Sequence, residues 1–169
     1  MVTSRRRQTR EKVLQVLYAH QLSEEPILPI MENILSELKA NRDDFEFAKA
    51  LVHSVLQHIS EIDRLIKAKV MHWESDRIAV VDRMILRMGI AELLYFPDIP
   101  PKVTINESIE IGKVFSTANS GRFINGVLDA ILEQLRESGS LHKTGRGLME
   151  FSLPHDDKPS SPPKAGLDD

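Results

Sequence analysis

In DDFEFAKALVHSVLQHISEIDRLIKAKVM, residues 43–71, the apolar side chains Phe47, Leu51, Val55, Ile59, Ile62 and Ile66 recur at steps of three and four. That step follows one face of a 3.6-residue helix and not the alternation of a strand. The spacing predicts one long helix over 43–71, with Asp43 or Asp44 able to cap its start. Working toward the amino end, Ile30, Ile34 and Leu38 mark a helix near 29–40. Before it, a helix runs from Ser4 or Thr9 to Gln21, with Val13, Leu14, Val16, Leu17 and Tyr18 available to pack.

Toward the carboxyl end, a break near 72–77 leads to a helix over 78–96, with Val81, Ile85, Met88 and Tyr95 on its inner face. Pro97, Pro100 and Pro101 stop it. The next helix, about 103–115, opens on Thr104-Ile105-Asn106-Glu107, which reads as a capping box. Thr117–Gly121 is a polar loop. The last helix, about 122–137, packs Val127, Leu128, Ile131, Leu132 and Leu135, and Gly139 ends it. No strand alternation, hairpin signal or internal repeat interrupts this pattern. The fold class is all-α, with about six to seven helices joined by short connections.

The chain of 169 residues is long enough for one domain with a core, and aromatics at 5% make that core aliphatic. With no cysteine, a disulfide, a Cys-ligated zinc site and a cysteine nucleophile are excluded. The arginines near the start precede no apolar run, so they do not read as a secretory signal. No apolar stretch approaches the ~20 residues of a membrane span. A soluble cytoplasmic protein is the expectation.

The net charge of −3 is unevenly spread. Residues 1–12 hold Arg5, Arg6, Arg7, Arg10 and Lys12 against Glu11, a net of +4. Residues 139–169 hold four basic and five acidic side chains, with four of the nine prolines and four of the eight glycines. The expected organisation is a flexible arginine-rich arm at 1–8, a helical domain at 9–138 and a flexible tail at 139–169. On that reading, deleting 140–169 leaves stability nearly unchanged.

Catalytic motifs are lacking. There is no phosphate-cradling glycine motif, no paired-histidine zinc motif and no glycine-flanked serine. His53 and His58 are five apart, the wrong step for one helical face. Glu107 and Glu110 can share a face, but no histidine stands beside them, so a cap and a solvated face explain them. Packing is the default for Trp73 and Tyr95. Phe115 and Phe123 flank a polar loop, where both base stacking and helix-end packing fit. The cluster Arg5-Arg6-Arg7-x-x-Arg10 is different, because cations at a helix start oppose the helix dipole. Such a cluster suits an anionic partner, and guanidinium offers planar bidentate donors to phosphate.

Four segments together resemble the NusB family: residues 5–18 around that cluster, Val81–Leu94, Ile99–Phe115, and Arg122-Phe123-Ile124-Asn125-Gly126-Val127-Leu128-Asp129. The similarity covers about 1–138. It implies two small helical bundles, no catalysis and no cofactor. It implies binding to the boxA element of ribosomal RNA leader transcripts, together with NusE, a small-subunit ribosomal protein, in an RNA polymerase antitermination complex. By position, Arg5, Arg6, Arg7, Arg10, Lys113, Phe115, Arg122 and Phe123 match the RNA-binding region, and Tyr18 and Asp82 match the partner surface. Asp82 is expected to face solvent, so that Asp82→Lys weakens NusE binding with little change in stability.

The same domain resembles one fused to RNA cytosine methyltransferases, but no catalytic domain follows here. A free-standing RNA-binding module with another target and a helical protein–protein adaptor remain the alternatives. Monomer and homodimer both stay open for the free protein.

Overall fold

The structure, a computed structural model, describes residues 4–70 and 78–149. Among them are seven α-helices: α1 (Arg5–Ser23), α2 (Ile27–Leu35), α3 (Arg42–Gln57), α4 (Ile59–Val70), α5 (Val80–Tyr95), α6 (Pro101–Phe115) and α7 (Ser120–Glu137). Short 3-10 turns cover Ser36–Ala40 and Gly145–Leu148. No strand occurs among the described residues. Trp73 and the end of the helix predicted over 43–71 lie outside them.

The helices form two bundles. In the first, α1 packs on α2 and α3; in the second, α5, α6 and α7 pack on one another with α4 against α5 and α7. Helix α5 joins the two, because it also touches α1 and α3. Its whole run from Met84 to Leu93 is buried. A single inner face through Val81, Ile85 and Met88 was the expectation, and the structure corrects it. An apolar sequence on all sides of a helix belongs at the centre of a domain, where every side has a neighbour.

The predicted long helix is two helices, broken at His58. The apolar step survives the break, since Leu51, Val55, Ile62 and Ile66 are all buried. At the break the His58 ring stacks on Tyr95 of α5, with centroids 3.8 Å apart.

Caps also differ from expectation. Asn41, not an aspartate, caps α3, its Oδ1 accepting from the Asp44 main-chain N–H at 3.1 Å. Helix α6 starts at Pro101, the first-turn position that tolerates a missing N–H. Thr104 is therefore inside the helix and fully buried, and no capping box forms there.

Two boundaries move. Arg5–Gln8 are the first turns of α1, begun by Ser4, whose Oγ accepts from the Arg7 N–H. They are not a loose arm. Gly139, with φ +69°, ends α7 as expected, but the chain then stays on the body. Leu141 packs against the core, and the Thr144 N–H donates to the Pro97 carbonyl at 2.9 Å. A deletion of 140–169 thus removes packed residues, and the expectation of unchanged stability loses its basis.

Candidate RNA-binding surface and its buried supports

Helix α1 presents the arginine cluster to three carboxylates from elsewhere in the chain. Arg5 Nε lies 2.7 Å from Asp44 Oδ2, with the Arg6 Nη1 3.6 Å from Oδ1. Arg7 donates from Nε and Nη2 to both oxygens of Glu107, at 2.7 and 3.1 Å. Arg10 donates from Nε and Nη2 to Glu92 on α5, the shortest contact being 2.6 Å. The Arg6 guanidinium also sits 4.2 Å from the centroid of the Phe47 ring, within cation–π reach.

The four arginines are not equivalent. The Arg5 side chain is 67% exposed and Arg6 42%, whereas Arg10 is at 4%. Burial opposes the Arg10 charge, but the charge and hydrogen bonds of Glu92 outweigh it and hold its pKa above the usual value. With its donors turned inward to Glu92, Arg10 supports the fold rather than facing an RNA, which corrects its placement among contact residues. The signal was present in the sequence. Glu92 and Arg87 are charges within an apolar run, and buried charges need partners. Arg87 finds Asp63 of α4, at 2.8 and 2.9 Å, and Gln21 of α1, at 3.2 Å.

Helix α6 connects the two halves of the predicted RNA region. Glu107, held by Arg7, lies six residues before Lys113, about 9 Å along the helix at 1.5 Å per residue. Between them Glu110 pairs with Lys113 at 3.1 Å. Lys113 reaches the start of α7, where a side chain on Gly121 would meet its Cγ at 3.5 Å. Lys113, Phe115 and Arg122 are exposed, and Phe123 is partly buried against the core. These contacts link the start of α1, through α6, to the start of α7. Tyr18 is exposed farther down α1.

Asp82 does not face solvent. It is 8% exposed, and Ser120 Oγ donates to its Oδ2 at 3.0 Å. The hydroxyls of Ser116 and Thr117 lie 2.8 and 3.0 Å from that same Oγ, which also accepts the Thr117 N–H. One step of about 100° from Val81 was expected to expose residue 82. That argument failed because α5 has neighbours on more than one side. Asp82 holds the α6–α7 connection, and through it Phe115 and Arg122. Asp44, Phe47 and Glu92 were not singled out as parts of the site, since each reaches the arginines only through tertiary contact.

Among the described residues no group of three or more His, Asp or Glu side chains could hold a metal ion. No helix there is long and apolar enough to cross a membrane.

Comparison with known proteins agrees with this architecture. The model of the NusB family matches residues 7–133. Transcription antitermination protein NusB of Chloroherpeton thalassium is 41% identical over 164 residues, covering 94% of this chain and 78% of that protein. Its counterpart from Salinibacter ruber is 43% identical over 150 residues, covering 86% and 92%. Among solved structures, NusB from T. maritima matches with a TM-score of 0.71 and 38% identity, over 79% of this chain and 94% of that one. A crystal structure of antitermination factors NusB and NusE in complex with dsRNA matches with a TM-score of 0.69 and 32% identity, over 76% and 96%.

Proposed function

The chain belongs to the NusB family, and from that premise we propose that it is a transcription antitermination factor. It binds boxA-type RNA of ribosomal RNA leader transcripts together with NusE, and the pair acts within an RNA polymerase antitermination complex in the cytoplasm. The protein itself makes and breaks no covalent bond.

The carrying observation is the exposed Arg5 and the half-exposed Arg6 at the start of α1, with the exposed Lys113 and Arg122 at the α6–α7 end. Asp44 is buried, its side chain only 5% exposed, while Arg5 is 67% exposed and contacts it through Nε at 2.7 Å. The remaining Arg5 donors can therefore meet an RNA phosphate without leaving the buried carboxylate unpaired. Arg7 contributes less directly, because its Nε and Nη2 are engaged by Glu107. Phe115, on the exposed rim, offers a ring for a base. Tyr18 is the residue on the partner side, and Asp82 acts there only by positioning the α6–α7 connection.

The test is RNA binding by the Arg5→Ala/Arg6→Ala variant across a salt series, with and without NusE. The slope of log affinity against log salt should fall by about 0.7 for each phosphate of the single strand that the variant no longer neutralises. Unchanged affinity and slope in the variant, or a wild-type protein that binds no boxA-type RNA, would overturn the assignment.

A further inference from the structure

The chain after α7 returns to the arginine cluster. Lys143 Nζ donates to the main-chain carbonyls of Glu92 and Phe96, at 3.1 and 2.9 Å, so it closes the carboxyl end of α5. Burial pushes its pKa down to about 8. The next contact is the Thr144 N–H on the Pro97 carbonyl. Gly147 then lies so close that a Cβ there would stand 1.9 Å from the Pro97 oxygen, so only glycine lets the turn close. This segment lies beyond the residues matched by the family model, which end at 133.

We propose that residues 140–149 form a strap that completes, with the start of α1, a cleft for one nucleotide of single-stranded RNA, in which Arg146 and Arg6 hold the phosphate. This rests on the RNA-binding reading above. The cleft has a volume of about 440 Å³ and is lined by Arg6, Phe47, Phe96, Val103 and Arg146, among others. That volume falls within the range of small-ligand sites, roughly 300–1,000 Å³.

Its chemistry is graded. Phe47 and Phe96 meet edge to face, with centroids 5.6 Å apart, and supply apolar surface for a base. Arg6 Nη1 is buried, 3.6 Å from Asp44 Oδ1 but with no hydrogen-bond partner, a donor that a phosphate oxygen would satisfy. Arg146, which lines the same cleft, is exposed and carries no ion pair among the described residues. Two carboxylates also line the cleft. Glu107 is neutralised by Arg7, and Asp98 can accept from a base amino group while keeping the phosphate toward the arginines.

The test compares Arg146→Ala with Lys67→Ala, an equal loss of charge at an exposed position on α4. Fluorescence anisotropy with a boxA-type RNA oligonucleotide is measured over a salt series, with a melting curve for each variant. Arg146→Ala should weaken binding about three- to tenfold and lower the salt slope by about 0.7; Lys67→Ala should match wild type. Equal behaviour of the two variants would overturn the strap contact. The RNA-binding reading survives that result if Arg5→Ala/Arg6→Ala still weakens binding, and falls with it if wild type binds no RNA. Removing residues 150–169 should leave the Arg146→Ala effect intact. A tenfold gain in affinity on that removal, with the effect abolished, would mean that the chain's own end fills the cleft, and would overturn the proposal.

Discussion

Arg5 and Arg10 stand in one motif on one helix, five residues apart, and do different work. Arg5 sits two-thirds exposed beside the buried Asp44, and Arg10 lies inside the domain with its Nε and Nη2 on Glu92. The difference is where α1 meets α5. The first turn meets the start of α3 at Asp44, while Arg10 in a later turn faces α5 at Glu92. A buried ion pair is strongly sensitive to losing one partner, since the other charge is left desolvated. Arg5 is the exposed member of a pair whose carboxylate, Asp44, is buried and also faces Arg6, so Arg5 keeps donors in reach of a phosphate. The motif therefore divides into an anchor and a contact.

Removing the anchor should have the largest effect. Glu92→Ala leaves the Arg10 guanidinium buried without its carboxylate, and Thr104 loses its partner at 3.4 Å. A loss of about 3–5 kcal/mol is expected, read as a fall of roughly 10 °C in Tm at 2–4 °C per kcal/mol for a chain of this size. A Tm within a degree of wild type would place Arg10 with the exchangeable arginines and erase the distinction.

Asp82→Lys comes next. The substitution puts an ammonium where Ser120 donates to a carboxylate, and about 2–4 kcal/mol of stability should be lost by denaturant unfolding. This reverses the reading of Asp82 as an exposed partner contact. A stable variant with weakened NusE affinity would restore that reading.

The smallest stability effect belongs to the contact. Arg5→Ala should lower unfolding free energy by about 1 kcal/mol, because the buried Asp44 keeps Arg6 and the start of α3 beside it, although it removes a group proposed to meet RNA. A loss as large as that of Glu92→Ala would show that the Asp44 pair is structural too.

Much of this division was legible in the residues, and part was not. The arginine cluster stood out because it opposes the helix dipole and serves no apolar period. The core of α7 was read correctly from its stripe, and Val127, Leu128, Ile131, Leu132 and Leu135 are all buried. Asp82 was misread because one stripe was assumed for a helix that is buried along most of its length. The long helix was misread because an apolar step persists through a break, and His58 carries no breaker signal of the glycine or proline kind. Residues past Gly139 were read as loose from their composition, yet Lys143, Thr144 and Gly147 find main-chain partners at the α5–α6 connection.

The sequence by itself determined the helical class, the aliphatic core and the basic start, because periodicity and charge density are local properties. Only the tertiary structure decided which arginines are free. That choice depends on carboxylates 39, 82 and 100 residues away, at Asp44, Glu92 and Glu107, counted from Arg5, Arg10 and Arg7 respectively. Burial is a property of the packed helices and not of the helix that carries the charge. A guanidinium under α5 loses its water and has its donors turned to its partner, while the same group one and a half turns earlier keeps its water and donors in reach of a phosphate.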